Sequence, residues 1–276
     1  MSGAGPRLDP EGPPLRGRAL MSQWWHDLAF VHWRVDPGLV TPWLPHGVRP
    51  DLFDGSAWVG LVPFRMLDAA VGAGPPVPWL GTFLETNVRT YSVDEQGRHG
   101  VVFCSLDCER LAAVAGARAV FGTPYRWARM RFEHRPSGRP DRVGDRVAYA
   151  TSRRERPRGA GGRLELEVRE PLSAPGDLEV FLTARFGLHT TVAGRSWWVP
   201  NTHAAWPLHR ARVTGLEDPV GAPGLLAAAG FPGLDAGGRA PDSVLFSPGV
   251  RTRFGLPQRL EARGAAHVDE APPVHR

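Results

Sequence analysis

Short segments in which apolar and polar residues alternate recur along most of the chain, from about residue 28 to residue 213. They include LAFVHWRV, SAWVGLVPF, GVVFCSL and RLELEVRE, and Gly, Pro, Asp and Asn interrupt them at short intervals. Alternation with a period of two is typical of β-strands, and many short strands with such turns are typical of β-rich proteins with closed sheets. The pattern therefore predicts a strand-rich fold.

Two segments change to the helical period. In DCERLAAVAGARAVF, an apolar stripe predicts a helix over about residues 108–121, with Asp107 as its N-cap and Arg118 on the stripe. In GDLEVFLTARFG, a similar stripe predicts a helix over 177–186 that carries Arg185. Each of these helices thus places an arginine on a face that is otherwise apolar.

One predicted strand, ETNVRTY, has an unusually polar face. With a period of two, Glu85, Asn87, Arg89 and Tyr91 lie on one side, and Val88 lies on the other. Such a face is either a wetted outer surface or the wall of a polar cavity. If it is buried, its groups must bond to one another or to a ligand.

The composition restricts the chemistry. All 33 basic residues are arginine, because the sequence contains no lysine, and 28 acidic residues leave a net charge of +5. Without a lysine amine, no side chain of this sequence can form a Schiff base with a carbonyl substrate. No segment approaches the roughly 18 apolar residues of a membrane helix, so no membrane partner is predicted.

The predicted domain organisation is simple. Residues 1–21 are rich in Gly and Pro without an apolar core, which predicts a disordered leader and not a secretory signal. We therefore expect a cytoplasmic location. Residues 22–255 are predicted to form a single domain, with a weak helix near Leu225, and residues 256–276 to form a frayed tail.

Several classes of site find little support. The arginine-rich stretch RRERPRGAGGR, residues 153–163, has no interleaved aromatic residues and contains Glu155, so nucleic-acid binding is not predicted. No glycine-rich phosphate loop or dinucleotide fingerprint occurs, and no cofactor is predicted. A metal at His203 would need a further ligand such as His26 or His32, and no spacing demands one, so no metal is predicted.

Several blocks resemble a known family in the same order. They are WWHDLAFVHWRVDPGLVTPWLPHGVRPDLFDGSAWVGLVPFRM, ETNVRTYSVDEQGRHGVVFCSLD, GARAVFGTPYRWARM, LEVFLTARFGLH, THAAWPLHRARV and LFSPGVRT. Over about residues 22–255 they resemble the YqjF-like domain-of-unknown-function family, which is similar to the acetoacetate-decarboxylase-like superfamily. The resemblance implies a β-rich α+β fold: a closed, largely antiparallel, conical β-barrel with a few flanking helices and a polar interior cavity. Characterised members use a catalytic lysine, so the resemblance implies the scaffold and not the chemistry.

In such a barrel the face that carries Glu85 points inward, and Arg118 and Arg185 point toward the same interior. A buried arginine stays charged and therefore requires an anion. That anion is either a protein carboxylate, such as Glu85 or Glu179, or the carboxylate or phosphate of a ligand. Arg118 is the expected main anchor for a ligand.

Other candidate residues come from scarce or clustered side chains. The chain has only three tyrosines, and Tyr91 and Tyr125 are candidate proton donors or, alternatively, satisfied core hydroxyls. In NTHAAWPLH, His203 and His209 are expected to share a strand face. His203 is a candidate base near neutral pH or a structural hydrogen-bonding group, and Trp206 is a candidate substrate contact.

The sequence thus favours a small-molecule enzyme that works by acid–base and electrostatic catalysis without a Schiff base, with secondary metabolism as a candidate setting. The expected substrate is an anionic or carbonyl-containing compound, and the candidate reactions are cyclisation, dehydration, isomerisation and decarboxylation. A non-catalytic barrel that binds a small anion is the alternative, and the oligomeric state stays open. The predicted catalytic residues are Glu85, Tyr91, Tyr125 and His203. The predicted substrate contacts are Asn87, Arg89, Arg118, Arg185 and Trp206.

Overall fold

The computed structural model describes residues 8–114, 118, 122–136 and 142–260, and it confirms a strand-rich α+β fold. Its strands are β1 (Met21–Val35), β2 (Val48–Pro50), β3 (Ala57–Val71), β4 (Phe83–Asp94), β5 (His99–Cys108), β6 (Tyr125–Arg135), β7 (Arg146–Arg153), β8 (Gly161–Pro171), β9 (Gly187–Val192), β10 (Arg195–Thr202), β11 (His209–Glu217), β12 (Ser243–Phe254) and β13 (Gln258–Arg259). The named helices are short: α1 (Pro37–Val40), a 3₁₀ turn (Thr41–Trp43), α2 (Asp177–Thr183) and α3 (Leu225–Ala228). Among the described residues, no helix is long and apolar enough to cross a membrane.

Five strands form the central sheet, in the order β12, β1, β3, β4 and β5, with every neighbouring pair antiparallel. The two edge strands of this sheet each have two further partners. The C-terminal part of β5 pairs with β6, and Val101 near its N-terminal end pairs with β9. Likewise, β12 pairs with β11 at one end and with β10 at the other.

Two hydrogen-bonded rings result, and they share the central sheet. The strands β6, β7, β8 and β11 connect β5 to β12 and complete a ring of nine strands. The strands β9 and β10 connect the same two edges and complete a ring of seven. The predicted closed conical barrel stays a prediction, since the structure supports only these rings of paired strands.

The two faces of the central sheet are turned toward the interiors of different rings. Val88 packs with residues of β1, β7, β8 and β12 in an apolar cluster enclosed by the nine-strand ring. Thr86, on the same face, bonds across that ring to Thr151 of β7 at 3.3 Å between hydroxyl oxygens. The opposite face of β4 carries Glu85, Asn87 and other polar groups toward the seven-strand ring, and these side chains are also buried.

The first predicted helix begins later than expected. Asp107 does not cap a helix but lies within β5, fully buried, where its Oδ1 accepts a hydrogen bond from Arg153 Nε at 2.7 Å. This ion pair lies on the face of β5 that is turned toward the nine-strand ring. The strand continues past Asp107 and ends at Cys108. Residues 111–114 are helical, and most of 115–121 lies outside the described residues.

The other two helix predictions are confirmed. Helix α2 begins at Asp177 as expected and ends at Thr183, earlier than the predicted residue 186, because Ala184 (φ −82°, ψ 77°) leaves the helical conformation. Arg185 therefore lies in the short connection after the helix. The weak helix near Leu225 is α3.

The segment before β1 differs from the predicted disordered leader. The backbone N–H of Gly12 donates to the His203 carbonyl oxygen at 3.0 Å, and Leu8 packs against an apolar cluster beside the seven-strand ring. After residue 256 the chain forms β13, which pairs with β10. Residues 1–7 and 261–276 lie outside the described residues, and the division into leader, single domain and tail stays a prediction.

Candidate active site

The seven-strand ring contains a cavity of about 460 Å³. It lies on the polar face of β4, and residues of β1, β3, β5, β9, β10 and β12 complete its wall. Most of the wall is apolar, and the polar groups lie in two places along β4. Seven of the predicted site residues line the cavity: Glu85, Asn87, Arg89, Tyr125, Arg185, His203 and Trp206.

Arg89 is 8% exposed and lies opposite Gly60 of β3, at the far end of the cavity from the exposed lining residues Val71 and Val77, which we call the deep end. Its Nη2 donates to the Tyr91 hydroxyl at 3.2 Å and to the Leu182 carbonyl oxygen at 3.1 Å. Its guanidinium also lies 5.6 Å from the centre of the Phe30 ring. Among the described residues no carboxylate pairs with Arg89, so its charge is offset only by neutral acceptors and aromatic rings.

Arg185 lies beside Arg89, over the same Tyr91 ring, and is 4% exposed. Its Nε donates to the Phe181 carbonyl oxygen at 2.7 Å, and its Nη1 forms an ion pair with Asp51. Burial alone would raise the pKa of Asp51, but hydrogen bonds and charge from His99 and Arg185 hold it below its ordinary value. Asp51 is therefore ionised and neutralises one of the two arginines.

Several buried polar atoms in the cavity wall lack a partner within the described part of the chain. The donors are Trp25 Nε1, Arg89 Nε and Arg185 Nη2, and the acceptors are Asn87 Oδ1 and Asn201 Oδ1. Buried polar atoms are nearly always hydrogen-bonded in native proteins. The cavity wall thus offers donors and acceptors along its length, and beside Arg89 and Arg185 it has one positive charge in excess of the described carboxylates.

Glu85 and Tyr125 form the second polar group of the cavity. The Tyr125 hydroxyl donates to Glu85 Oε2 at 2.8 Å, and Glu85 is 3% exposed. Burial raises the pKa of Glu85 to about 7, against hydrogen bonds from Tyr125 and Asn87 that lower it. Glu85 therefore exchanges a proton near neutral pH, as a general acid or base must.

His203 and Trp206 also line the cavity and are in contact with each other, with 5.0 Å between their ring centres. His203 Nδ1 is 2.8 Å from the Ala204 carbonyl oxygen, and burial holds the pKa of the imidazole below its ordinary value. Trp206 Nε1 donates to the Thr183 carbonyl oxygen at 3.0 Å. His209 begins β11 and bonds elsewhere, so the prediction that it shares a strand face with His203 is wrong.

Comparison with known proteins shows which sequences are similar to this chain. A family model for DUF2071, described as an uncharacterized conserved protein, matches residues 22–251. The chain belongs to the DUF2071 family. A curated relative, the uncharacterized protein YqjF of Bacillus subtilis (strain 168), is 32% identical over 195 residues, which cover 70% of this chain and 77% of YqjF.

Solved structures that share the fold with this DUF2071 member include an acetoacetate-decarboxylase-like enzyme and an enzyme of enduracididine biosynthesis. The first, from Sphingomonas wittichii RW1, superposes with a TM-score of 0.61 at 17% identity, covering 95% of this chain and 100% of the other. The enduracididine biosynthesis enzyme MppR, solved with the condensation product of pyruvate and imidazole 4-carboxaldehyde, gives 0.58 at 16% identity, with 87% and 88% covered. At these identities the similarity establishes the fold alone.

Two predicted site residues of this DUF2071 member lie outside the cavity wall. Tyr91 is fully buried, and its hydroxyl donates to the Leu182 carbonyl oxygen at 2.9 Å and lies 2.6 Å from His32 Nε2. Its hydroxyl therefore belongs to the packed structure that supports both arginines. The expectation that Arg118 points into the cavity is wrong, because its side chain is 41% exposed and pairs with Glu155 at the surface.

Sequence reasoning missed Asp51, which is the carboxylate partner of Arg185. Asp51 follows the short strand β2 in the segment RPDLFDG, where Pro, Asp and Gly read as a turn. No periodic pattern marks a single turn residue that folds back against a helix terminus. Only the pairing of β2 with β4 brings it beside α2.

Proposed function

We propose that this protein is an enzyme that transfers protons at a carbon next to a carbonyl group of a small carboxylate compound. Arg89 and Arg185 bind the carboxylate of the substrate. Glu85 accepts a hydrogen bond from the Tyr125 hydroxyl before reaction and removes the substrate proton; the protonated Glu85 then donates to the phenol oxygen, which leaves Tyr125 free to donate its own proton to the carbonyl oxygen. Such a step begins an isomerisation, a dehydration or a cyclisation.

The unbalanced charge of the cavity carries the proposal. Among the described residues, Asp51 is the one carboxylate that pairs with either buried arginine, and it pairs with Arg185; within the same residues each arginine has a nitrogen without a partner. A buried guanidinium cannot lose its charge, so an unmatched one costs several kcal/mol. A ligand carboxylate removes that cost and accepts both free donors, which makes an anion the expected ligand of this end.

The pKa of Glu85 supports catalysis over simple binding. A non-catalytic cavity has no need of a carboxylate whose pKa is about 7, whereas a general acid or base is most effective when its pKa lies near the working pH. Tyr125 keeps its proton, because burial and the nearby Glu85 raise the pKa of the phenol well above its ordinary value. The pair thus combines one group that titrates with one that stays a donor.

The proteins of similar fold and the amino-acid composition limit the reactions that this protein is proposed to catalyse. The neighbours include acetoacetate-decarboxylase-like enzymes and MppR, which was solved in complex with pyruvate, so the scaffold accommodates oxo acids. The present sequence has no lysine, and a Schiff base to a side chain is therefore not a route for it. A carboxylate held by two arginines is stabilised in its charged form, which disfavours its loss as CO₂.

Hydrogen–deuterium exchange tests the proposal. The protein is incubated in D₂O with a panel of oxo acids, and loss of the proton signals next to the carbonyl is followed by NMR. We expect enzyme-dependent exchange that Glu85→Gln reduces at least about 100-fold, the usual scale for a general base. Glu95→Gln, in the exposed hairpin after β4, is the matched control and leaves the rate unchanged.

Arg89→Leu separates binding from proton transfer. We expect it to weaken binding of every acid in the panel, measured by calorimetry, while the exposed Arg253→Leu on β12 does not. Tight, Arg89-dependent binding without exchange of any acid would instead favour the non-catalytic anion-binding protein. Binding that does not depend on Arg89 would refute the proposed role of the arginines.

A further inference from the structure

The two polar groups of the cavity lie far apart along one strand. Glu85 and Arg89 are four residues apart in β4, and β4 pairs with β3 over residues 83–90 without a register shift. At ~3.3 Å per residue, their Cα atoms are therefore about 13 Å apart. The Arg89 guanidinium increases the separation, because it bonds to Tyr91 and Leu182, away from Glu85.

Electrostatics agrees with this distance. The main influences on the pKa of Glu85 are burial, which raises it, hydrogen bonds from Tyr125 and Asn87, which lower it, and the charge of Asp107, which raises it. Both arginines do lower the pKa of His32, after burial. The positive charge of the cavity is thus concentrated at its deep end, where it is a main influence on His32 and not on Glu85.

We infer that the substrate is an extended oxo acid whose carbonyl group is separated from its carboxylate by about five or more carbon–carbon bonds. The inference rests on the proposed function and specifies its substrate class. Because both side chains project from the same face of β4, we take the carboxyl and guanidinium groups to be at least about as far apart as the Cα atoms. After about 3 Å of hydrogen-bond length at each end, about 7 Å of that separation remains for the ligand. Five bonds of about 1.5 Å fill that distance.

Apart from Asn87, whose side chain lies between the two polar groups, the wall at this level is apolar and suits an aliphatic linker. At the level of Asn87 the neighbouring strands contribute Val62 of β3 and Leu106 of β5, and both line the cavity. The wall beyond Glu85 is also apolar, with Met66 and Phe83 paired across β3 and β4. Methylene groups buried against such a wall stabilise a complex, by roughly fourfold in affinity for each group.

The cavity volume also exceeds the needs of a short oxo acid. Cavities of about 300–1,000 Å³ enclose most of a drug-sized ligand, and the present one is about 460 Å³. A three-carbon oxo acid, with two bonds of about 1.5 Å, can contact the arginines or Glu85 but not both. A short acid would therefore bind without placing its carbonyl beside the proton-transfer pair.

A series of oxo acids with increasing separation tests the inference. We would compare pyruvate, 4-oxopentanoate, 6-oxoheptanoate and 8-oxononanoate, in which one, three, five and seven bonds join the carbonyl and carboxyl carbons. We expect exchange in D₂O to be fastest for 6-oxoheptanoate or 8-oxononanoate, at least about tenfold above pyruvate, the scale of one hydrogen bond made or lost. Fastest exchange of pyruvate or 4-oxopentanoate would overturn the inference and leave the proposed function standing.

Calorimetry decides the inference even if no acid exchanges, an outcome that would refute the proposed catalysis. Tyr125→Phe should weaken 6-oxoheptanoate about tenfold and leave both 4-oxopentanoate and heptanoate, which lacks the carbonyl, unchanged. Equal effects of Tyr125→Phe on the acids, or no effect on any, would show that the carbonyl does not reach Glu85 and Tyr125. Arg89→Leu should weaken all of them, which confirms that the carboxylate is held at the deep end.

Discussion

Replacing Glu85 with Gln should change how the stability of the protein depends on pH. The folded-state pKa of Glu85 is about 7, raised by burial from an ordinary value of 4.5. Between these two values the folded protein holds the proton more tightly than the unfolded chain does, so Glu85 makes the protein less stable as the pH rises. The contribution falls by about 2.5 kcal/mol from pH 5 to pH 8, at 1.36 kcal/mol per pKa unit.

Buried histidines act in the opposite direction, which makes a comparison with the variant necessary. Burial lowers the pKa of His189 to about 4, and the pKa values of His32 and His203 are also lowered. Because of these histidines, the free energy of unfolding decreases as the pH falls below about 6.5, the ordinary pKa of histidine. Because Glu85→Gln leaves them in place, the stability difference between the two proteins isolates Glu85.

The assay is denaturant unfolding of both proteins at intervals from pH 5 to pH 8. The free energy of unfolding of the wild type minus that of Glu85→Gln should fall by about 2.5 kcal/mol across this range. A difference that is flat to within about 0.5 kcal/mol would show that Glu85 ionises at its ordinary pKa. It would then be an unsuitable acid or base near neutral pH, and the proposed catalysis would lose its main support.

Three further outcomes follow from the contacts described above. Arg118→Leu should change the free energy of unfolding by less than about 1 kcal/mol, because the ion pair of Arg118 with Glu155 is partly exposed. Anion binding should stay unchanged, and a loss of binding would show that Arg118 belongs to the site. Asp107→Asn should lower the free energy of unfolding by about 3–5 kcal/mol in denaturant titrations, since Arg153 would remain buried without a carboxylate. A decrease below about 1 kcal/mol would show that the ion pair of Asp107 with Arg153 does not stabilise the fold. Borohydride treatment with an oxo acid should give no adduct on any side chain by mass spectrometry, because the sequence has no lysine, and a stoichiometric side-chain adduct would refute the mechanism.

Local pattern predicted the parts of the site that lie on one strand. The period of two placed Glu85, Asn87 and Arg89 on one face of β4, and the structure buries all three side chains toward the cavity. Arg185 was found because a charged residue interrupts an apolar stripe. In both cases the signal is a polar group at a position where neighbouring residues require burial, and that signal is visible in a single segment.

Long-range pairing could not be predicted in the same way. Arg118 shows the limit, because the helical period assigns it to a stripe whose first member, Leu111, is itself 53% exposed. Asp51 becomes a partner of Arg185 only through the tertiary approach of a turn to α2. The seven-strand ring could not be predicted from the sequence either, because its closure depends on short pairings such as that of Val101 with Leu188.

The shared sheet explains why the polar face of β4 marks the site. A strand between two enclosed volumes has no outer face, so alternation along it separates two interiors and not an inside from an outside. In β3 both faces are apolar, as Leu61 packs in the nine-strand ring and Val62 and Phe64 line the cavity. Polar residues are costly on either buried face, so those on β4 must be balanced by one another or by a ligand. Glu85 and Arg89 lie too far apart to balance each other, so Glu85 relies on Tyr125 and Asn87, and the proposed ligand supplies the anion that Arg89 lacks.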